Sequence, residues 1–187
     1  MRYLPFVFQI FTLFFITTAC VVDDGKDRTF NQEVTKIKWE RFDDAENAFS
    51  IRFPTYPVME KSNVQSDLGA LVVVTYVSEP DSNSKFVLSY ADYPSEITQA
   101  NAEQLALKIG ENALSELNTK IMFKEELEAN GFTGVGLVGE SASKFQIFHH
   151  VYIVRNRVYQ LTVTLKSRTM EEEDARKFLG SFEPKVK

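Results

Sequence analysis

The sequence predicts an α+β domain in which helices cover a largely antiparallel β-sheet. Three observations predict it: apolar residues recur with period two in both halves of the 187-residue chain, a stretch with period 3.6 separates the two halves, and a short capped helix closes the chain.

The first strand is expected where Phe49, Ile51 and Phe53 alternate with Ser50 and Arg52, ending at Pro54 and Pro57, which cannot donate to a ladder. From there to Asp67 the chain is polar and without pattern, so it is expected to be a loop. Gly69 to Ser78 is almost continuously apolar, β-branched and aromatic, as in a strand covered on both faces. Phe86, Leu88 and Tyr90 alternate against Val87, Ser89 and Ala91, and the turn residues Pro80 to Asn83 join the two strands as a hairpin.

Beyond Pro94, the residues Ala102, Leu105, Ala106, Ile109, Ala113, Leu114 and Leu117 fall on one helical stripe, predicting an amphipathic helix from about Asn101 to Leu117 on one face of the sheet. Gly110 interrupts it at a cost of about 1 kcal/mol relative to Ala, which fits a position approached by another backbone. Strands return at Ile121 to Glu128, around Gly134, Gly136 and Gly139, and as a strongly alternating hairpin, Phe145 to Val154 and Val158 to Lys166, turning at Arg155-Asn156-Arg157. Thr169 with Glu172 forms a capping box, and Ala175, Phe178, Leu179 and Phe182 give a closing helix that Pro184 stops. The two helices need not share a face.

The N-terminus carries a different message. Arg2 precedes a thirteen-residue uncharged run, Leu4 to Ile16, then the small residues Thr17, Thr18 and Ala19, which is the order of a secretory signal. The run is shorter than the ~20 residues a spanning helix needs. The single cysteine follows at once, and Thr17-Thr18-Ala19-Cys20 resembles the bacterial lipobox, with Thr17 standing where Leu is preferred. The reading is therefore a signal peptide at 1–19, acylation (palmitate among the chains) and cleavage at Cys20, a tether at 20–36 and one domain at 37–187. An ordinary signal with an incidental cysteine, or an uncut anchor, are the other readings of the same residues. Several acyl chains at about 0.8 kcal/mol per buried methylene give lasting attachment. Export and membrane anchoring are thus expected, and Val21 after the cysteine, rather than an Asp that would retain it in the inner membrane, favours the outer membrane. Asp23-Asp24 loosely resembles the acidic export signals of Bacteroidetes surface lipoproteins; a solvated linker is the plainer reading.

With Cys20 modified no thiol is left to pair, so stability rests on the apolar core. Removing the signal leaves 20 basic and 26 acidic residues, a net charge of −6, which lacks the basic footprint of a nucleic-acid binder.

From about Trp39 to Pro184 the chain resembles the Mog/PsbP-like superfamily, in particular small bacterial lipoproteins of unknown function related to the PsbP subunit of photosystem II. The segments that carry the resemblance are Phe49-Ser50-Ile51-Arg52-Phe53-Pro54, Tyr90-Ala91-Asp92-Tyr93-Pro94, Tyr152 to Leu161 and Ala175 to Phe182. All four are apolar patterns, not chemical signatures. The resemblance implies a Mog/PsbP-like sandwich and a binding or assembly role; the known partners, photosystem II and the GTPase Ran, do not transfer, and neither do any functional residues.

Chemical motifs are sparse. His149 and His150 are adjacent on a strand and so point to opposite faces, which predicts one packed or hydrogen-bonded ring and one exposed ring, not a metal pair. Gly139-Glu140-Ser141-Ala142 is not a nucleophile elbow, and the glycines from 131 to 139 precede a strand, not the helix that a phosphate loop requires. Asp43, Asp44, Glu46 and Asp92 lack the spacing of a calcium loop and are read as solvated acids. Of Trp39, Tyr56, Tyr90, Tyr93, Tyr152 and Tyr159, at least half are expected in the core, and the segment bearing Tyr90, Asp92 and Tyr93 is the candidate interaction surface. The expectation is a non-catalytic envelope lipoprotein with no cofactor, a membrane contact through lipidated Cys20 and an unidentified protein partner. The alternative is a carrier or sensor of a small apolar ligand.

Overall fold

The computed structural model describes residues 38–66, 69–93, 99–166 and 172–185. In chain order the elements are β1 Glu40–Asp44, β2 Phe49–Phe53, β3 Val58–Ser66, β4 Gly69–Asp81, β5 Ser84–Asp92, α1 Gln99–Glu116, β6 Thr119–Ala129, β7 Phe132–Ser141, β8 Phe145–Val154, β9 Arg157–Lys166, α2 Glu172–Leu179 and β10 Glu183–Pro184. Seven strands form one antiparallel sheet in the order β3-β4-β5-β9-β8-β7-β6, and a small sheet runs β1-β2-β10. The α+β expectation holds, and so do the helix near Asn101 to Leu117 and the hairpin of β8 with β9.

The large sheet separates two cores. One face carries Phe86, Leu88, Tyr90, Phe148, Tyr152, Tyr159 and Leu161, packed against Phe49, Ile51 and Phe53 of β2 and Ala175, Phe178 and Leu179 of α2. Aromatic rings dominate it: Phe49 meets Tyr76, Tyr90 and Tyr159 with centroids 5.5 to 6.2 Å apart, and Phe178 meets Phe53 and Phe86 at 5.2 and 5.5 Å. The other face carries Val135, Leu137, Ile147, Val151, Ile153 and Val158 under Ala102, Ala106, Ile109 and Leu114 of α1. The helices therefore lie on opposite faces, and because side chains alternate along a strand, β8 sends its even-numbered residues into the aromatic core and its odd-numbered ones toward α1.

Several expectations need correction. The segment read as a patternless loop up to Asp67 contains β3, a nine-residue strand paired in unbroken register with β4 from Val58↔Val77 to Ser66↔Gly69. From Val58 to Gln65 it is exposed apart from the half-buried Val64, so burial selected no apolar alternation for the sequence to display. Pro80 lies inside β4, where the register shifts between Ser78 and Asp81, so a bulge accommodates its missing N–H and the turn shrinks to Ser82-Asn83. Arg157 likewise belongs to β9, opposite Val154, and leaves Arg155-Asn156 as the turn. In β4 the covering is incomplete, since Val72 is exposed. What fills the space at Gly110 is the Leu137 side chain, with the His149 ring behind it, rather than a backbone. The glycines of β7 serve packing: a Cβ on Gly134 would meet the Tyr152 ring and lie 2.8 Å from the Val151 carbonyl oxygen, and one on Gly136 would lie 3.0 Å from Cγ of Glu125. Cys20, the tether and the proposed cap residue Thr169 lie outside the described residues, as does Pro94.

Candidate functional site

The densest polar constellation lies at one end of the large sheet, where the β1–β2 and β8–β9 turns meet. Asp44 and Asn47 build the first turn: the Asn47 backbone N–H and side-chain amide donate to the Asp44 carboxylate at 2.9 and 2.7 Å, and the Tyr76 hydroxyl donates to it at 2.5 Å. Burial pushes the Asp44 carboxyl up, yet the bonds from Tyr76 and Asn47 outweigh it and hold the group below its ordinary value. Burial, followed by the Asp44 bond, pushes the Tyr76 phenol well above its own. Ala48 closes the turn at φ 60, a conformation that strains a residue bearing a Cβ.

Arg157 is the hub. Its guanidinium donates to both Asp92 oxygens, at 2.5 and 2.6 Å, and to the Asn47 carbonyl at 2.5 Å, while its plane lies 4.3 Å from the Tyr90 ring centroid. The Tyr159 hydroxyl donates to the same Asn47 carbonyl at 3.0 Å. One side chain thus ties β5, β9 and the β1–β2 turn together, joining the small sheet to the large one. Burial pushes the Tyr90 phenol up to about 12, against the opposing pull of Arg157, so it stays protonated at neutral pH.

Ala48, Asp92, Val154, Arg155, Asn156, Arg157, Tyr159 and Lys185 line an open cleft of ≈250 Å3 beside this joint. Arg155 at φ 56 is the second strained residue on its rim. The cleft is charged and falls below the ~300 Å3 low end of ligand pockets, so it lends no support to an apolar-ligand carrier. Its hydrogen-bonding capacity is largely committed internally: Arg157 as described, Lys185 to Asp43 at 3.2 Å, and the Asn156 amide to the Tyr93 carbonyl at 3.0 Å. The arrangement makes a rigid joint. Among the described residues, no three His, Cys, Asp or Glu gather where they could hold a metal.

The candidate interaction residues do not form one surface. Tyr90 is 5% exposed and lies in the aromatic core, Tyr93 is 7% exposed and lies in the core under α1, and Asp92 alone is exposed, committed to Arg157. Among the described residues Tyr56 is the tyrosine at the surface, 78% exposed, with its ring edge-on to Phe42. Of the acids expected to be solvated, Asp43 pairs with Arg41 and Lys185, Asp44 and Asp92 are bonded as above, and Glu46 is exposed as expected. The histidines face opposite sides, as expected. His149 is buried, its Nδ1 2.9 Å from the Thr162 hydroxyl and its Nε2 without a partner; burial, with a smaller push from His150, lowers its pKa to about 3. His150 is half-buried instead of exposed, 3.4 Å from the Tyr152 hydroxyl, and burial lowers it to about 4.

Sequence reasoning missed the outermost strand, β3. Among the described residues it pairs on one side only, and exposed Val58 and Met59 open it just after Tyr56. The opposite edge, β6, is blunted by five charged residues and by a register shift at Met122. In β3 the register is unbroken and the charges are two, Glu60 and Lys61.

No protein-family model matches the chain, and no curated protein matches it. Among solved structures, the chain is similar to the solution structure of cyanobacterial PsbP (CyanoP) from Synechocystis sp. PCC 6803, with a TM-score of 0.55 and 11% identity over 81% of this chain and 95% of that one. A Bacteroides thetaiotaomicron VPI-5482 crystal structure aligns with a TM-score of 0.42 and 12% identity, over 79% of this chain and 48% of that one. Two helices on opposite faces of a mostly antiparallel sheet, aligned over nearly all of the cyanobacterial protein, give this chain a PsbP-like α+β fold.

Proposed function

We propose that the protein is an envelope lipoprotein, anchored through Cys20, that acts without catalysis by docking a protein partner. The PsbP-like fold fits a non-catalytic role in general. The observation that carries the docking reading is the unequal treatment of the sheet edges: β6 bears five charges and a bulge that discourage strand pairing, although Met122 and Phe123 are exposed at that bulge, whereas β3 offers a regular backbone with two charges, flanked by Tyr56, Val58 and Met59. Such an edge recognises an extended strand, with main-chain hydrogen bonds supplying affinity and the exposed apolar residues supplying specificity.

Photo-crosslinking amino acids placed at Met59 and, as a control, at Glu126 of β6 test this in the native cell. A discrete protein adduct from position 59 and none from 126 is expected. Equal labelling from both edges, or substrate turnover abolished by a single point mutation, would overturn the reading.

A further inference from the structure

Two rows of side chains cross the sheet at neighbouring positions of β8, and they end differently. On the face away from α1, the register runs Glu125, Gly136, His150, Leu161, and the Glu125 carboxylate folds over Gly136 beside the His150 position. On the α1 face it runs Lys124, Leu137, His149, Thr162. Glu125 and Lys124 both belong to β6, with β7 between them and the histidines of β8, and Lys124 is bonded to Glu111.

The surroundings of His149 are otherwise apolar. From α1 it is covered by Gly110, and the inward residues Ala102, Ala106, Ile109 and Leu114 carry no charge. Among the charged groups of α1 are Glu111, bonded to Lys124, and Lys108, which is exposed and makes interactions of its own. From β7 comes Leu137, from β9 the Thr162 hydroxyl, and through the backbone His150. The Nε2 atom is the buried side-chain polar atom left unpaired among the described residues, and protonation would turn it from an unused acceptor into a buried cationic donor. The element between this atom and solvent is α1, which sets Gly110 over the ring and packs Ala102, Ala106, Ile109 and Leu114 with half-buried Leu105 and Leu107 beside them, whereas the aromatic layer lies across the sheet and does not cover His149. Water reaches a buried charge by the local opening of the element that covers it.

We propose that α1 is an acid-released cover: a proton taken up by His149 leaves a buried cation with no partner at Nε2, and the helix, not the aromatic layer across the sheet, opens in response. Opening exposes the apolar strip of Val135, Leu137, Val151 and Ile153. The device is independent of the docking role assigned to β3.

Amide hydrogen exchange of the intact protein between pH 7.5 and 4.5, expressed as protection factors to remove the intrinsic pH dependence, tests it. Protection of α1 is expected to fall roughly a hundredfold over that range, the linkage of one histidine that titrates normally only when open, and to lie well below the limit set by global unfolding at the same pH, to which α2 and β2 hold. His149→Gln should flatten the α1 profile and His150→Gln should leave it. Protection of α1 no lower than that of α2 at pH 4.5, less than a twofold change in α1, or an unaltered slope in His149→Gln would overturn the proposal. If His149→Gln fails to fold, the contrast of α1 with α2 in the parent protein and the slope in His150→Gln decide it.

Discussion

Replacing Arg157 by Met removes the hub of the joint while keeping a linear stem to pack on Tyr90. Three losses contribute. The bond from a charged donor to the Asn47 carbonyl contributes about 1.5–3 kcal/mol, and the stacking on Tyr90, at 4.3 Å, about 0.5–1 kcal/mol. The pair with Asp92 adds at most ~1 kcal/mol, because that carboxylate is 51% exposed and screened by solvent. The Asn47 carbonyl retains the Tyr159 hydroxyl, so no acceptor is stranded and the total should settle at about 2–4 kcal/mol. In urea, with an m-value of about 2 kcal/mol/M, the midpoint should fall by about 1–2 M. Arg157→Lys, which keeps the charge and loses the fork, should lose about half as much. Most of the loss should persist in 1 M salt, where the Asp92 contribution is screened. A midpoint within ~0.2 M of the parent would show that Arg157 is a surface residue with decorative contacts and that the two sheets are joined by apolar packing alone.

Three other outcomes follow from the geometry. Gly134→Ala should cost about 1–3 kcal/mol by overpacking against the Tyr152 ring and the Val151 carbonyl, whereas Gly131→Ala, in open space at φ +80, should cost about 1 kcal/mol through backbone strain; equal melting of both variants and the parent would contradict this. The burial-depressed pKa of His149 means that the unfolded chain binds the extra proton between about pH 6.5 and 3. Stability should therefore be intact above pH 6.5 and fall as pH drops, by roughly 2 kcal/mol at pH 5, a loss that His149→Gln should relieve in paired denaturation curves. Cys20→Ser should abolish lipid labelling and signal-peptidase processing while leaving the circular dichroism of the domain unchanged; unaltered detergent partitioning would refute the lipoprotein reading.

What the sequence disclosed follows from what burial selects. Strands β2, β8 and β9 and helix α1 each bury a face, so Phe49, Ile51 and Phe53, or Ala102, Ala106 and Ile109, announced themselves by period. Strand β3 is defined by pairing with β4, and a strand exposed almost throughout has no apolar period to read; only its partner's pattern hinted that another strand was needed. The joint was hidden for another reason: Asn47, Asp92 and Arg157 are far apart in the chain, and each looked like an ordinary turn or loop residue until the topology brought them together. Tyr90 and Tyr93 were misjudged as a pair because three residues along a strand invert the face, a consequence of the same alternation that placed the histidines correctly.

The contacts of Trp39 have a mechanical consequence. Its ring stands edge-on to Phe86 with centroids 5.7 Å apart, and the Lys177 ammonium lies 4.8 Å above it. A pull applied at Trp39 against a load held on β3 acts on Glu40 and Phe53, which face each other at the same end of the β1–β2 pair. That geometry opens a hairpin one rung at a time, the least resistant way to load it. The indole, wedged between β5 and α2, stands ahead of the first rung, so it must leave Phe86 and Lys177 before that pair can part.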